Sequence, residues 1–284
     1  MLEKFEQGTL CSEEEWKAHI EKLLSKTKPT TKKEVEDALI NSVKKRIPAE
    51  KFGLFLSGGI DSSLLALLYK KFTNNFICYC VGIEGSHDIS AAKKAAKELG
   101  LELKTKTYTA QEVEDIFKKI HNWFSPSVVT LGVASVIYAA SELAKQDGIK
   151  TFIGGLGSEE IFAGYERHSL AKDINEECWR GLFNLWKADL IRDHTLGEKL
   201  EIKVLCPFLD DNLIIAAMGI HGNEKIVKGE RKHFLRALSH ELGLPHDIAF
   251  LPKKAAQYGS GFDKIIDKLA QKKKISKRDF VLSL

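Results

Sequence analysis

The chain opens on a helical period and then switches to short apolar runs separated by amphipathic stretches. Ser12 ahead of Glu13, Glu14 and Glu15 makes a capping-box pattern, and Trp16, Ile20, Leu23 and Leu24 then share one helical face. Pro29 and Thr30 break that helix. Lys32 to Arg46 repeats the pattern with Val35, Leu39 and Val43, and Pro48 ends it. From Phe52 the pattern changes. Phe52 to Leu56 is a short buried strand, and Ser62 to Lys70 is a helix with Asp61 or Ser62 near its N-cap. Phe76 to Ile83 is a second strand, Ser90 to Leu99 a helix closed by Gly100, and Leu101 to Tyr108 a third strand. Residues 111–121 and 133–147 are helical, and Lys150 to Ile153 is another strand. Helical patterns then cover 170–200, Asn212 to Met218 and Lys232 to Leu242.

Strands that alternate with helices predict an α/β fold: a parallel sheet with helices on both faces, followed by a largely helical C-terminal part. Residues 1–30 are expected to form an N-terminal helical extension and residues 31–284 the main domain. In such sheets ligands sit at the carboxyl ends of the strands. The turn at 57–59 and the loop at 84–88 both fall there.

Composition narrows the class without naming a function. The 284 residues are 44% hydrophobic and carry a net charge of +4, enough for a real core and too mild to demand a nucleic-acid partner. No run of about 18 apolar residues occurs, so no membrane span is expected, and the first ten residues lack the apolar segment of a signal peptide. The five cysteines, at 11, 78, 80, 178 and 206, fit a reducing cytoplasm better than a disulfide framework. Cys78 and Cys80 share one face of a strand and read as small buried hydrophobes.

Chemistry concentrates in two glycine-rich turns. In the first, Ser57-Gly58-Gly59-Ile60-Asp61-Ser62-Ser63 joins a strand to a helix. Glycine allows the sharp turn and close approach of a ligand. The free N–H groups of such a turn, aimed along a helix N-terminus, attract an anion, and Ser57, Ser62 and Ser63 add hydroxyl donors. Asp61 would repel a phosphate unless a cation lay between them, which implies Mg²⁺. The plainer reading is a strand–turn–helix corner. The second turn, Gly154-Gly155-Leu156-Gly157-Ser158-Glu159-Glu160, opens a helix. Its two glutamates suit the helix dipole, and either could hold the metal. Lys253 and Lys254 lie on a loop closed by Gly259 and Gly261, where a lysine beside a triphosphate would neutralise charge on the departing pyrophosphate. Arg192-Asp193-His194 has the residue types of a metal or acid–base cluster, with a solvated helix end as the plainer reading. The basic stretch from Lys264 to Arg278 is either a frayed helix or a weak polyanion contact.

The first turn resembles the pyrophosphate-binding loop of the ATP pyrophosphatase (PP-loop) superfamily, whose fold is of the adenine nucleotide alpha hydrolase type. From about residue 31 to 263 the chain resembles the synthetase domain of asparagine synthetase. Five segments match in order: SGGIDSS at 57–63, VGIEGSHDISAAKKAAKELG at 81–100, GGLGSEEIFAGYERH at 154–168, CPFLDDNLI at 206–214 and LPKKAAQYGSG at 251–261. The resemblance implies an AMP-forming amide ligase using ATP and Mg²⁺. A carboxylate attacks the α-phosphate to give an acyl-adenylate and pyrophosphate, and an amine or ammonia then displaces AMP. By motif position Leu56, Val81, Gly154 and Gly155 would frame adenosine, and Ser57, Gly58, Gly59 and Ser62 would hold pyrophosphate. Asp61 and Glu159 would carry Mg²⁺, and Lys253 would sit over the phosphates, with Lys253 and Asp61 as the catalytic pair.

Three departures qualify the product. Leu2 stands where glutamine-hydrolysing members carry a catalytic cysteine, which points to free ammonia, another amine or a separate glutaminase subunit. Leu156 occupies the position of the family's acid/base glutamate, and a leucine cannot move a proton. Gly132 aligns roughly with a family arginine, which weakens an aspartate pocket. The third and fifth segments look closer to the asparagine synthetase domain-containing proteins. Two other functions compete: an ATP-binding regulatory or subunit protein without synthetase activity, favoured by Leu156, and a tRNA-modifying PP-loop ATPase, favoured only by the basic tail.

Overall fold

The computed structural model describes residues 1–251 and 256–284. Among these, five parallel strands form one sheet: β1 (Phe52–Phe55), β2 (Phe76–Ile83), β3 (Leu103–Tyr108), β4 (Thr151–Ile153) and β5 (Lys203–Leu205). Their order is β3-β2-β1-β4-β5. The chain winds outward from β1 in one direction and, after β3, returns to the other side of β1 at β4. The strand order therefore reverses between β1 and β4, and a crevice opens at the carboxyl ends of those two strands. Phe52 pairs with Phe76 in β2, and Gly53 with Phe152 in β4. Gly53 has to be glycine, since a Cβ there would come 2.6 Å from the Phe152 ring.

Alternation along β2 sends side chains to opposite faces of the sheet. On one face, Phe76, Cys78 and Cys80 join a core with the helices Lys32–Lys45, Ile60–Phe72 and His87–Leu99. On the other face, Val81 packs with the helices Ala110–Ile120, Val128–Lys145 and Phe262–Lys272, and Ile77 and Tyr79 pack with Phe152. Burial pushes the Cys78 thiol up to about 12, as suits a small apolar residue rather than a reactive one. The first core extends to the N-terminal helix Glu13–Lys26. Its Trp16, Ile20 and Leu23 are buried, Leu24 is exposed, and the Trp16 indole donates to the Leu182 carbonyl at 2.8 Å. Buried Arg46 bonds Glu6 at 2.7 Å and Asp210 at 3.0 Å, tying the N-terminus to the segment that follows β5.

Several boundaries differ from expectation, each for a local reason. Gly59 is extended (φ −73°, ψ 164°) and is itself the N-cap, so the Ile60–Phe72 helix begins two residues before Ser62 and takes Asp61 into its first turn. The third strand starts at Leu103, and the helix before it starts at His87, capped by Ser86. β5 has only three residues, too few to show a period. The expected helix over 170–200 is interrupted: Ile174–Leu185 passes through a π-helical turn, Trp186–Leu190, into Ile191–Leu200. The basic tail is neither frayed nor bare. Phe262–Lys272 and Lys277–Leu282 pack Ile265, Ile266, Phe280 and Val281 into the core, and Lys277 bonds Asp263 at 2.9 Å. The Val128–Lys145 helix is long and apolar enough, by length and composition alone, to cross a membrane, a test that a buried core helix also passes. Half of it is buried within the fold, against β2 and the Ala110–Ile120 helix.

Candidate active site

The turn after β1 builds its own scaffold. Gly58 has φ +75°, and a Cβ there would collide with the Ala91 backbone of the His87–Leu99 helix, so the turn presses against its neighbour with no side chain between. Its polar groups bond one another. The Ser57 N–H donates to Ser62 Oγ at 3.2 Å, the Gly59 N–H to Ser57 Oγ at 3.3 Å, and Ser62 Oγ to the Gly59 carbonyl at 3.2 Å. Together they brace the turn at the N-terminus of a 13-residue helix, an electropositive end.

A cavity of about 300 Å³ opens over this turn at the carboxyl ends of β1, β2 and β4. Leu56, Ser57, Asp61, Ser62, Val81, Gly154, Gly155 and Glu159 all line it. Gly58 and Gly59 belong to the turn beneath without lining the cavity, and Lys253 lies outside the described residues. One wall is apolar: Leu56 and Val81 face Val133, Val136, Ile137 and Ala140 of the Val128–Lys145 helix. Gly155 lies flat on the floor, where a Cβ would be 3.4 Å from that of Asp61. Leu156 also lines the cavity. Gly132 falls inside the Val128–Lys145 helix rather than before it, packed so that a Cβ would stand 3.0 Å from Gln257.

The polar end is held by residues from four separate stretches. Asp61 Oδ1 accepts from Ser158 Oγ at 2.6 Å and from Lys232 Nζ at 2.6 Å. Lys232 also reaches Glu159 Oε1 at 3.2 Å and Ser158 Oγ at 3.1 Å. Burial pulls the Lys232 ammonium below its usual range, against the opposing attraction of Asp61. The two glutamates of the second turn take different roles. Glu159 faces the cavity. Glu160 is buried behind it, and desolvation followed by the Asp189 charge pushes its carboxyl up to about 7. The π-helical turn shifts the register of its helix so that Asp189 and Arg192 both reach the cavity, as such turns often do at functional sites. Arg192 donates to Asp193 at 2.7 Å and to Asp189 at 2.6 Å. Arg192 and Asp193 are buried, so this stretch is an internal ion-pair network and not a solvated helix end.

Asp61 and Glu159 are the carboxylates of the cavity that could share a metal ion. Their oxygens already converge on a common cation, the Lys232 ammonium. Among the described residues no group of three or more acidic, histidine or cysteine side chains is arranged around a metal position. Magnesium commonly takes one or two carboxylates and completes its shell with water and substrate phosphates, which this pair fits.

The two glycine turns and the charged cluster at Arg192 and Asp193 are marked in the sequence, whereas Lys232 and Asp189 are not. The signal available for Asp189 was an acid three residues before Arg192 on an otherwise apolar helical stripe.

The asparagine synthase family model matches residues 34–180 and 169–281. A putative glutamine-hydrolysing asparagine synthetase of Methanocaldococcus jannaschii is 35% identical over 87% of this chain and 53% of the relative. The glutamine-hydrolysing asparagine synthetase B of Escherichia coli is 30% identical over 82% of this chain and 46% of the relative. The chain thus spans about half the length of the curated relatives it matches. Among solved structures, the NH3-dependent NAD synthetase of Campylobacter jejuni aligns at a TM-score of 0.35 and 20% identity, over 54% of this chain and 75% of that one.

Proposed function

Because the chain belongs to the asparagine synthase family, we propose that it is an ATP-dependent, AMP-forming amide ligase that adenylates a carboxylate and passes the acyl group to ammonia or another amine. The observation that carries this reading is the Ser57–Ser62 turn, internally hydrogen-bonded at the N-terminus of a 13-residue helix, beneath a cavity at the strand-order reversal. Ser57, Gly58, Gly59 and Ser62 hold the β- and γ-phosphates. Leu56, Val81, Gly154 and Gly155 border the adenosine, with the valines of the Val128–Lys145 helix across from them. Asp61 and Glu159 hold Mg²⁺, which supplies charge neutralisation on the phosphates. Lys253 is assigned to the departing pyrophosphate.

The acceptor carboxylate approaches the α-phosphorus from the polar end of the cavity. There Arg192, braced by Asp189 and Asp193, is a fixed cation. The amine then attacks the acyl carbon, the acyl C–O bond to the phosphate breaks, AMP leaves, and the surplus proton on nitrogen passes to the departing phosphate or to water. Leu156 offers no base for that step, so an amine that arrives already neutral is favoured, supplied as free ammonia or by a separate glutaminase subunit. Aspartate is the first acceptor to test.

Pyrophosphate release from Mg·ATP, measured with and without aspartate and ammonium, tests the reading. Release that requires both would support asparagine synthesis, and release with a different carboxylate would replace the substrate. ATP binding without release under any combination would favour the second reading, an ATP-binding subunit without synthetase chemistry, for which Leu156 is the specific support.

A further inference from the structure

Lys232 is built into the site more firmly than a surface lysine could be. Its side chain is 2% exposed, and its backbone takes the left-handed conformation at φ +58° just before the His233–Glu241 helix. Such a conformation is costly outside glycine and persists where the surroundings impose it. Gly164 supplies the space: a Cβ there would overlap both the Glu159 carboxylate and the Lys232 Cε. The ammonium stands 2.6 Å from Asp61 and 3.2 Å from Glu159, and Lys232 itself does not line the cavity that those two acids line. Ser158 bonds both Asp61 and Lys232, closing the cluster.

We propose that Lys232 is a positioning residue that clamps Asp61 and Glu159 from behind and, by sharing their charge, makes metal binding depend on the nucleotide. The inference rests on the reading of this cavity as an Mg·ATP site. A fixed positive charge close behind two carboxylates opposes a divalent cation brought to their other side, and at this depth the repulsion is weakly screened. The metal alone therefore binds poorly. When it arrives with phosphates, their negative charge offsets the ammonium, and the clamped oxygens meet it without rearranging. Metal and nucleotide then raise each other's affinity.

The test uses the whole chain and Mn²⁺ as a spectroscopic probe. Mn²⁺ binding without nucleotide is followed by electron paramagnetic resonance in the wild type, K232M and K232R, with circular dichroism as the check on folding. K232M should bind Mn²⁺ roughly tenfold or more tightly than the wild type, since one opposing charge has gone. K232R should keep the weak wild-type binding, because it keeps the charge. A merely structural role would loosen the acids and weaken Mn²⁺ binding in K232M. Equal or weaker binding in folded K232M would overturn the proposal. If K232M fails to fold, the wild type decides: submillimolar binding of Mn²⁺ alone would overturn the proposal, and its absence, with tight binding once a nonhydrolysable ATP analogue is added, would support it. Failure of the analogue to bind would instead overturn the ATP reading, and the nucleotide-free arms would still judge Lys232.

Discussion

Lys225 gives the sharpest stability prediction, because its burial is complete and its compensation poor. The side chain is 0% exposed, and its ammonium donates to the Met218 sulfur at 3.4 Å. A thioether is a weak acceptor. Burial pulls the ammonium from 10.5 down to about 8, with only a small opposing pull from Cys178 and Asp173. Between about 8 and 10.5 the unfolded chain holds this proton and the folded chain does not. Wild-type stability therefore rises with pH across that window as far as this group is concerned, and the cost of the buried charge is felt in full below pH 8. At about 1.4 kcal/mol per pH unit the gap corresponds to about 3 kcal/mol. Lys225→Met removes the charge and puts an apolar chain of similar length beside Met218, so it should stabilise the protein by up to about 3 kcal/mol at pH 7. Urea unfolding of both proteins between pH 7 and pH 10 measures it, and the difference between them cancels groups that titrate alike in each. The stabilisation should shrink as pH rises through 8 toward 10. A difference that stays flat with pH, or a variant less stable than the wild type at pH 7, would refute the reasoning.

The remaining predictions concern the site. Gly58→Ala forces a Cβ against the Ala91 backbone in a left-handed turn. It should cost roughly 1–3 kcal/mol in thermal unfolding and remove ATP binding by calorimetry. Arg192→Ala strips the counter-ion from buried Asp193 and from Asp189. It should destabilise the fold by roughly 3–5 kcal/mol, and a melting temperature equal to wild type would show that the network is not structural. Asp61→Ala should abolish pyrophosphate release and leave the circular dichroism spectrum unchanged, whereas retained turnover with normal Mg²⁺ dependence would remove Asp61 from the metal. Lys253→Ala should lower kcat by roughly 10²–10³, the scale of losing one donor to developing negative charge; an unchanged kcat would free Lys253 of that role.

The first four strands, the glycine turns and the parallel α/β class were legible because each depends on local pattern, whereas three-residue β5 was not. Phe52–Phe55 and Phe76–Ile83 are apolar runs bounded by breakers, and Ser57–Ser63 is a contiguous motif. What stayed hidden depends on where distant segments meet. Lys232 follows Glu230 and Arg231 in a stretch that reads as solvated, and only the fold carries it 171 residues back to Asp61. Asp189 and Arg192 reach the cavity through a π-helical turn, which leaves no mark in the hydrophobic period. The separation of Glu159 from Glu160 is likewise invisible in sequence. Two adjacent acids on one short helical turn face opposite ways, one to the cavity and one into the core. The apolar Val128–Lys145 helix escaped a search for an uninterrupted run because polar residues such as Ser135 and Ser141 punctuate it, and both are buried in the fold.

The measurement that bears most directly on the central claim is pyrophosphate release from Mg·ATP across a panel of amino-acid carboxylates, each with and without ammonium, with AMP quantified alongside. An AMP-forming amide ligase gives stoichiometric AMP and pyrophosphate only with an acceptor carboxylate, and an amide product only when ammonium is also present. ADP and phosphate as products, or ATP consumption indifferent to every carboxylate and amine, would contradict that function.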